Sequence, residues 1–281
     1  MKIVRFGAPG AEKPGLVDEA GRIRDLTGHL DGVTGATLQP DELAWLKAID
    51  TDALPLAPEG VRLGVPLTGI GKIMCIGRNY REHAAEMDND LPVEPLLFMK
   101  ANSAINGPYD DVLIPRTAEQ MDYEAELAVV IGRRAKYVSE ADALSHVGAY
   151  TIINDVSERA FQRERGGQMT KGKSCDTFAP IGPWLVTVDE IADPQNLHVT
   201  TKVDGVLRQQ GITADMVFPV AHLISYLSQF FTLHPGDIIA TGTPAGVAGG
   251  MKPPGWVKAG QVVTINIDGL GEQRSTYVAD K

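Results

Sequence analysis

The sequence predicts a mainly β chain with some helix, an α+β class built on mixed and mostly antiparallel sheet. Three observations carry this expectation. Thirty Gly and eighteen Pro are spread along the 281 residues, a pattern of many turns between short strands. The apolar runs are short, the longest being the five residues from Leu127 to Ile131. Helical and strand patterns do not alternate, as a Rossmann fold or an α/β barrel would require. The share of hydrophobic residues, 43%, and of charged residues, 22%, is that of a globular chain, which disfavours disorder, collagen and coiled coil.

Taken in order, the elements begin with a strand near Ile3 to Phe6. A hairpin follows, in which Gly15-Leu16-Val17 and Arg22-Ile23-Arg24 flank a turn from Asp18 to Gly21. Asp41 stands where an N-cap should, ahead of Leu43, Leu46 and Ile49 at helical spacing. The Pro-containing segment 55–66 reads as a linker, which divides the chain into a small accessory domain, 1–68, and a main domain, 69–281. Ile73 to Gly77 reads as a buried strand and Tyr80 to Met87 as a helical turn or two. Asp204-Gly205 is the pair a two-residue hairpin with positive φ prefers. Residues 215–231 form the best helix, with Val217, Val220, Leu223, Ile224, Leu227 and Phe231 on one face and Pro219 in its first turn. Strands resume at 237–241 and 262–267, the latter running into Asp268-Gly269.

Charge narrows the function. Thirty-six acidic against 26 basic side chains leave a net charge of −10, and no basic stripe interrupts it, so nucleic acid is not an expected partner. No apolar run approaches the ~20 residues of a membrane-spanning helix, and the N-terminus lacks signal-peptide character; the expected location is the cytoplasm. Cys75 and Cys175 lie too far apart for a disulfide framework or a zinc knuckle and read as reduced structural thiols.

The segment Met121 to Ile131 is the most informative. Read as one strand, it puts Asp122, Glu124 and Glu126 on a face that continues as Ala128 and Val130, while Leu127, Val129 and Ile131 line the other. A strand apolar on both faces should not begin with carboxylates, because each buried charge costs several kcal/mol unless paired or bound to a metal. Two carboxylates two residues apart suit a hard cation, Mg or Mn. Asp155, closing the apolar run Tyr150 to Ile153, could complete the set; the alternative is an exposed strand end with solvated acids. Arg159, Gln162 and Lys173 nearby could offset the negative charge and bind an anionic substrate, although a solvated helix face also accounts for Arg159 and its charged neighbours. His83 and Glu86, three apart, share a helix face, where Glu86 could orient the imidazole as a general base or merely form a solvated pair. The loop Gly242 to Val247 lacks the Gly-Lys-Ser/Thr ending of a phosphate-binding loop.

Together these segments resemble the fumarylacetoacetate hydrolase family. The resemblance rests on Ile76-Gly77-Arg78-Asn79-Tyr80 with His83 and Glu86, Phe98-Met99-Lys100 with Ser103, Glu124-Ala125-Glu126, Asn154-Asp155, Lys171-Gly172-Lys173-Ser174, and Gly236-Asp237 through Gly242-Thr243-Pro244-Ala245-Gly246-Val247. It implies a mixed β-sandwich roll, usually a homodimer, in which Glu124, Glu126 and Asp155 hold Mg or Mn. It also implies catalytic roles for His83, Glu86 and Lys173 and substrate contacts from Arg78, Lys100, Arg159, Gln162 and Thr243. The implied reaction is hydrolysis of the carbon–carbon bond of a 2,4-dioxo acid to pyruvate and a small acid. Glu94 to Lys100 and Phe161 to Thr177 look most like family members that act on 2,4-dioxo-3-deoxy sugar acids of the rhamnonate or fuconate type. Acylpyruvate or fumarylpyruvate hydrolysis, oxaloacetate decarboxylation and ureidoglycolate lyase activity share the same ligands. A metal-dependent binding protein without turnover is the reading of another class, and the intact His83 and Glu86 argue against it. Met87-Asp88-Asn89-Asp90, followed by Pro92, reads as the hinge of a lid.

Overall fold

The computed structural model describes residues 1–281. Its frame is a nine-stranded sheet in the order Ile23–Asp25, Lys13–Val17, Lys2–Phe6, Leu185–Thr187, Val147–Asn154, Ala125–Ile131, Ile238–Ala240, Ile73–Gly77, Leu96–Lys100. All neighbours are antiparallel except Ile238–Ala240 against Ile73–Gly77. A second sheet of five strands runs Val206–Ile212, His198–Val203, Val262–Ile267, Gly271–Ala279, Val112–Ile114. The mixed, mostly antiparallel architecture expected from the turn-rich composition is therefore present.

Central position explains burial. Ala125–Ile131 lies between Val147–Asn154 and Ile238–Ala240, and every residue of it is buried, as is every residue of Val147–Asn154. Strands covered on both faces read as continuous rather than alternating apolar runs. One contiguous core joins both sheets, with Val129 and Ile152 of the larger and Val199 and Ile265 of the smaller. No helix is long and apolar enough to cross a membrane.

The N-terminal strands continue the large sheet: Lys2 and Ile3 pair with Val186 and Leu185, so the sheet runs unbroken across the boundary expected at residue 68. The segment 55–66 contains neither helix nor strand and lies against those strands through bridges Phe6–Leu63 and Arg24–Leu56. Asp204 (φ 50°) and Gly205 (φ 78°) occupy the left-handed region in a two-residue hairpin, as expected.

Three local expectations are corrected. The N-cap of helix Pro40–Lys47 is Gln39, and Asp41 sits inside the first turn, where its charge favours the helix N-terminus. The predicted helix 215–231 is shorter, Val220–Phe230, with a 3₁₀ turn over Thr213–Asp215. Pro219 is its N-cap with extended backbone, because the ring excludes the donor and the geometry of a continuing helix. Met121 to Ile131 is not one strand. Met121–Asp122 pairs with Ser157–Glu158, and the chain breaks at Tyr123 and Glu124 before Ala125–Ile131 begins.

Candidate active site and metal centre

The break at Tyr123 and Glu124 builds the site. Ile153 pairs with Glu126 and Asn154 with Ala125, so the two central strands end side by side. Beyond that pairing the Glu124 amide donates to Asn154 Oδ1 at 3.0 Å, and the Asp155 amide donates to the Glu124 carbonyl at 2.9 Å. Strand register thus brings together three acids from two distant segments. Ligand oxygens of Glu124, Glu126 and Asp155 all lie within 4.8 Å of one another, and all three residues are buried.

Three cations surround them. Lys173 Nζ donates to Glu124 Oε2 at 2.6 Å and Asp155 Oδ2 at 2.9 Å. Arg159 donates to Glu124 Oε1 at 2.5 Å, to Asp122 Oδ2 at 2.8 Å and to Gln162 Oε1 at 3.1 Å. Lys100 Nζ donates to Asp155 Oδ1 at 2.5 Å and to the Val156 carbonyl at 3.0 Å. Burial alone would raise the Glu124 pKa, but Lys173 and Arg159 outweigh it and hold the carboxyl at about 2. Glu126 shifts the other way: burial first, then the charges of Asp155 and Glu124, push it well above the usual carboxylate range.

That contrast tests whether a metal fits. Four carboxylates (Asp122, Glu124, Glu126, Asp155) face three cations (Lys100, Arg159, Lys173), so 4 − 3 leaves one acid uncompensated. It is Glu126, whose carboxylate accepts only the Gly242 amide, at 2.7 Å. A buried acid without a partner beside two further carboxylates, with no thiolate or imidazole in the group, is an oxygen donor set for a hard divalent cation. Glu124, Glu126 and Asp155 would hold it.

A cleft of about 400 Å³ opens over this group. His83, Arg78, Arg159, Gln162, Lys173 and Thr243 line it together with Glu124 and Glu126. His83 comes from the short helix Arg81–Glu86, and its Nδ1 lies 2.8 Å from Glu86 Oε1. Glu86 Oε2 accepts the Gly246 amide at 2.8 Å. Thr243 Oγ1 donates to the Ala125 carbonyl and accepts from Gln209, which fixes the start of the loop beside the acidic triad. Arg78 is exposed in the left-handed region, φ 57°.

One expected contact is corrected. Lys100 does not line the cleft: its side chain is fully enclosed and its ammonium is spent on Asp155 and the Val156 carbonyl, because Lys100 is the one buried residue of an edge strand and stands at its end. Asp122, placed on one strand face with Glu124 and Glu126, lies outside the triad; its oxygens take Arg159 and three backbone amides. Glu158 and Arg159, readable as a solvated helix face, are buried, Glu158 capping the helix Arg159–Arg163 through the Phe161 amide. Cleft residues that sequence reasoning missed include Arg163, Met169 and Phe98. Arg163 had a signal, since it stands four residues after Arg159 on one helix face. Phe98 packs its ring 5.1 Å from Lys173 Nζ. Met87 and Asn89 of the expected hinge also line the cleft, and Asp88 between them has φ 53°.

Known proteins resemble this chain along its length. Residues 72–278 match the fumarylacetoacetate (FAA) hydrolase C-terminal family. The 2,4-didehydro-3-deoxy-L-rhamnonate hydrolase of Sphingomonas sp. (strain SKA58) is 50% identical over 275 residues, covering 98% of this chain and 95% of its own. A fumarylacetoacetate hydrolase from psychrophilic Exiguobacterium antarcticum superposes with a TM-score of 0.88 at 38% identity, and both chains are covered in full. So does the maleylpyruvate hydrolase from Sphingobium sp. SYK-6, in complex with manganese(II) and pyruvate, with a TM-score of 0.84 at 30% identity and full coverage of both chains. The chain therefore belongs to the fumarylacetoacetate hydrolase family, as a hydrolase acting on carbon–carbon bonds.

Proposed function

We propose that the protein hydrolyses a 2,4-dioxo-3-deoxy sugar acid of the rhamnonate or fuconate type to pyruvate and a small hydroxy acid, with Mg or Mn at Glu124, Glu126 and Asp155. One observation carries the reaction class: Glu124 and Glu126 of an under-compensated acidic triad line the same 400 Å³ cleft as His83, whose ring is oriented by Glu86. The substrate preference rests on the 50% identity to the Sphingomonas rhamnonate hydrolase, against 30% to the maleylpyruvate hydrolase.

Glu124, Glu126 and Asp155 would hold a divalent cation, which when bound would supply Lewis acidity toward a keto acid. His83 does the proton work. With Nδ1 committed to Glu86, Nε2 is the free nitrogen, and it takes a proton from the water that adds to the 4-oxo carbon. Glu86 holds the ring and stabilises the imidazolium that forms, while the Gly246 amide fixes Glu86. Lys173 spends two donors on Glu124 and Asp155, which leaves its third for an oxyanion in the cleft. Gln162 accepts from Arg159 through its oxygen, so its NH₂ donors are turned outward. These groups stabilise the negative charge that develops on the 4-oxo oxygen. The bond between the third and fourth carbons then breaks, leaving a carboxylic acid at the former 4-oxo carbon and the electron pair on the third carbon of the other half; the proton held on His83 Nε2 passes to that carbon, which completes pyruvate and restores the neutral imidazole.

The test is pyruvate release across a panel of 2,4-dioxo acids, with and without EDTA. The expected result is metal-dependent release that is fastest with the deoxy sugar acids. Metal-independent turnover, or none across the panel, would overturn the assignment; faster release from acylpyruvates or fumarylpyruvate would move it to that substrate class.

A further inference from the structure

Asp122 is fully buried, and all four of its hydrogen bonds come from donors. Oδ1 accepts the amides of Tyr123 at 2.9 Å and Ala248 at 2.7 Å. Oδ2 accepts Nε of Arg159 at 2.8 Å and the Gly249 amide at 3.0 Å. Both oxygens are thus committed to protein donors. What the carboxylate does is split the Arg159 fork: Nε is pinned to Asp122, one terminal nitrogen to Glu124, and the other to Gln162 at the cleft. Two fixed charged points determine the plane of a rigid guanidinium. The stretch Gly242–Gly250 that supplies the amides on Asp122 also supplies Gly242 to Glu126 and Gly246 to Glu86. One loop therefore keys three carboxylates from three separate segments.

We propose that Asp122 is a positioning residue: with the amides of Ala248 and Gly249 it sets the direction in which Arg159 presents its guanidinium to the cleft, in register with the His83–Glu86 pair tied to the same loop. This rests on the reading of Arg159 as a group that faces substrate. In Asp122→Asn one oxygen becomes an NH₂ that faces two donors, so half of the keying is lost while volume is kept.

The experiment compares Asp122→Asn, Arg159→Gln and the double variant as Mg-loaded enzymes, by turnover of a 2,4-dioxo acid and by calorimetric titration with pyruvate. Asp122→Asn lowers kcat and pyruvate affinity by ~10-fold or more, because misaiming a positioned group is costly, while Mg affinity stays within ~3-fold of wild type. In the Arg159→Gln background the same change lowers both by less than ~2-fold, since the group it positions is already gone. Losses that multiply in the double variant, or a wild-type rate in Asp122→Asn, would overturn the proposal. Should Asp122→Asn melt below the assay temperature, Gly249→Ala replaces it: its Cβ would come 3.1 Å from the Trp256 ring and 3.2 Å from Asp122 Oδ2, crowding the carboxylate without removing charge. A several-fold fall confined to the Arg159-containing enzyme supports the proposal, and wild-type behaviour overturns it. A wild type that binds pyruvate but cleaves no 2,4-dioxo acid sinks the substrate reading alone and leaves the comparison to pyruvate affinity; a wild type that binds no pyruvate sinks both.

Discussion

Glu86 uses its two oxygens on two different elements: Oε1 lies 2.8 Å from Nδ1 of His83, and Oε2 accepts the Gly246 amide at 2.8 Å. The imidazole is thereby fixed to the loop whose first amide binds Glu126 of the acidic triad. His83→Ala should lower kcat by ~10²-fold or more with Mg affinity retained, since general-base catalysis contributes on that scale. Glu86→Gln keeps only one of the two contacts and should cost less, about tenfold. Steady-state kinetics beside Mg titration checks both, and an unchanged rate in the His83 variant removes that residue from the chemistry.

Glu126 is the acid of the triad without a cationic partner. In Glu126→Gln the side chain keeps its size and an oxygen for the Gly242 amide, while the charge that attracts a metal is gone. Without metal this variant should melt at or above the wild-type temperature, because burying an uncompensated carboxylate costs stability. Added Mg should raise its melting temperature far less than it raises that of the wild type. A thermal-shift series over Mg concentration decides it; a wild-type response would take Glu126 out of the ligand set.

How much of this was readable beforehand depends on sequence distance. The His83–Glu86 pair is local, three residues on one helical face, and was legible. Glu124 and Glu126 were legible because carboxylates at the head of a doubly apolar strand are costly unless matched. Asp155 followed from its place at the end of a second such strand, although only the Ile153–Glu126 register puts it beside the others. What stayed hidden is long-range. Arg159 looks like one charge among many on a wet helix until its partners Asp122 and Glu124, 37 and 35 residues away in sequence, are found behind it. Lys100 closes a strand that carries no local sign of an acid 55 residues on. Strict two-residue alternation put Asp122 on the face of the ligands, and the break at Tyr123 turned it toward Arg159 instead.

Lys100 offers a clean separation of structure from chemistry. Its side chain is fully enclosed, and its ammonium is one of two that face Asp155. Lys100→Met removes one partner of a buried ion pair and should cost about 3–5 kcal/mol in unfolding free energy without metal. The surviving folded enzyme should keep its substrate KM within about threefold, because the residue makes no cleft contact. Urea unfolding and steady-state kinetics give the two numbers. A large KM rise with unchanged stability would return Lys100 to the substrate.

Gly242 is where the loop leaves the strand Ile238–Ala240, with φ at 100°, a region closed to most side chains. A Cβ there would meet Cβ of Asn79 at 2.7 Å and the Ile76 carbonyl at 3.1 Å. Neither neighbour can retreat. Asn79 is fully buried and donates to the carbonyls of Phe218 and Thr241 while accepting the Phe218 amide; Ile76 belongs to a strand paired on both sides. Gly242→Ala must therefore move the loop, and with it the amide on Glu126 and, four residues on, the amide on Glu86. The expected outcome is a loss of Mg affinity and of kcat together, beyond tenfold in each, from a substitution that removes no polar side chain. Restoring space with Asn79→Ser should recover little, because it also cuts the bonds that hold the loop's entry strand. Mg titration and turnover on the same preparations check this, and a Gly242→Ala enzyme with normal metal affinity but depressed turnover would show that the loop aligns the base alone.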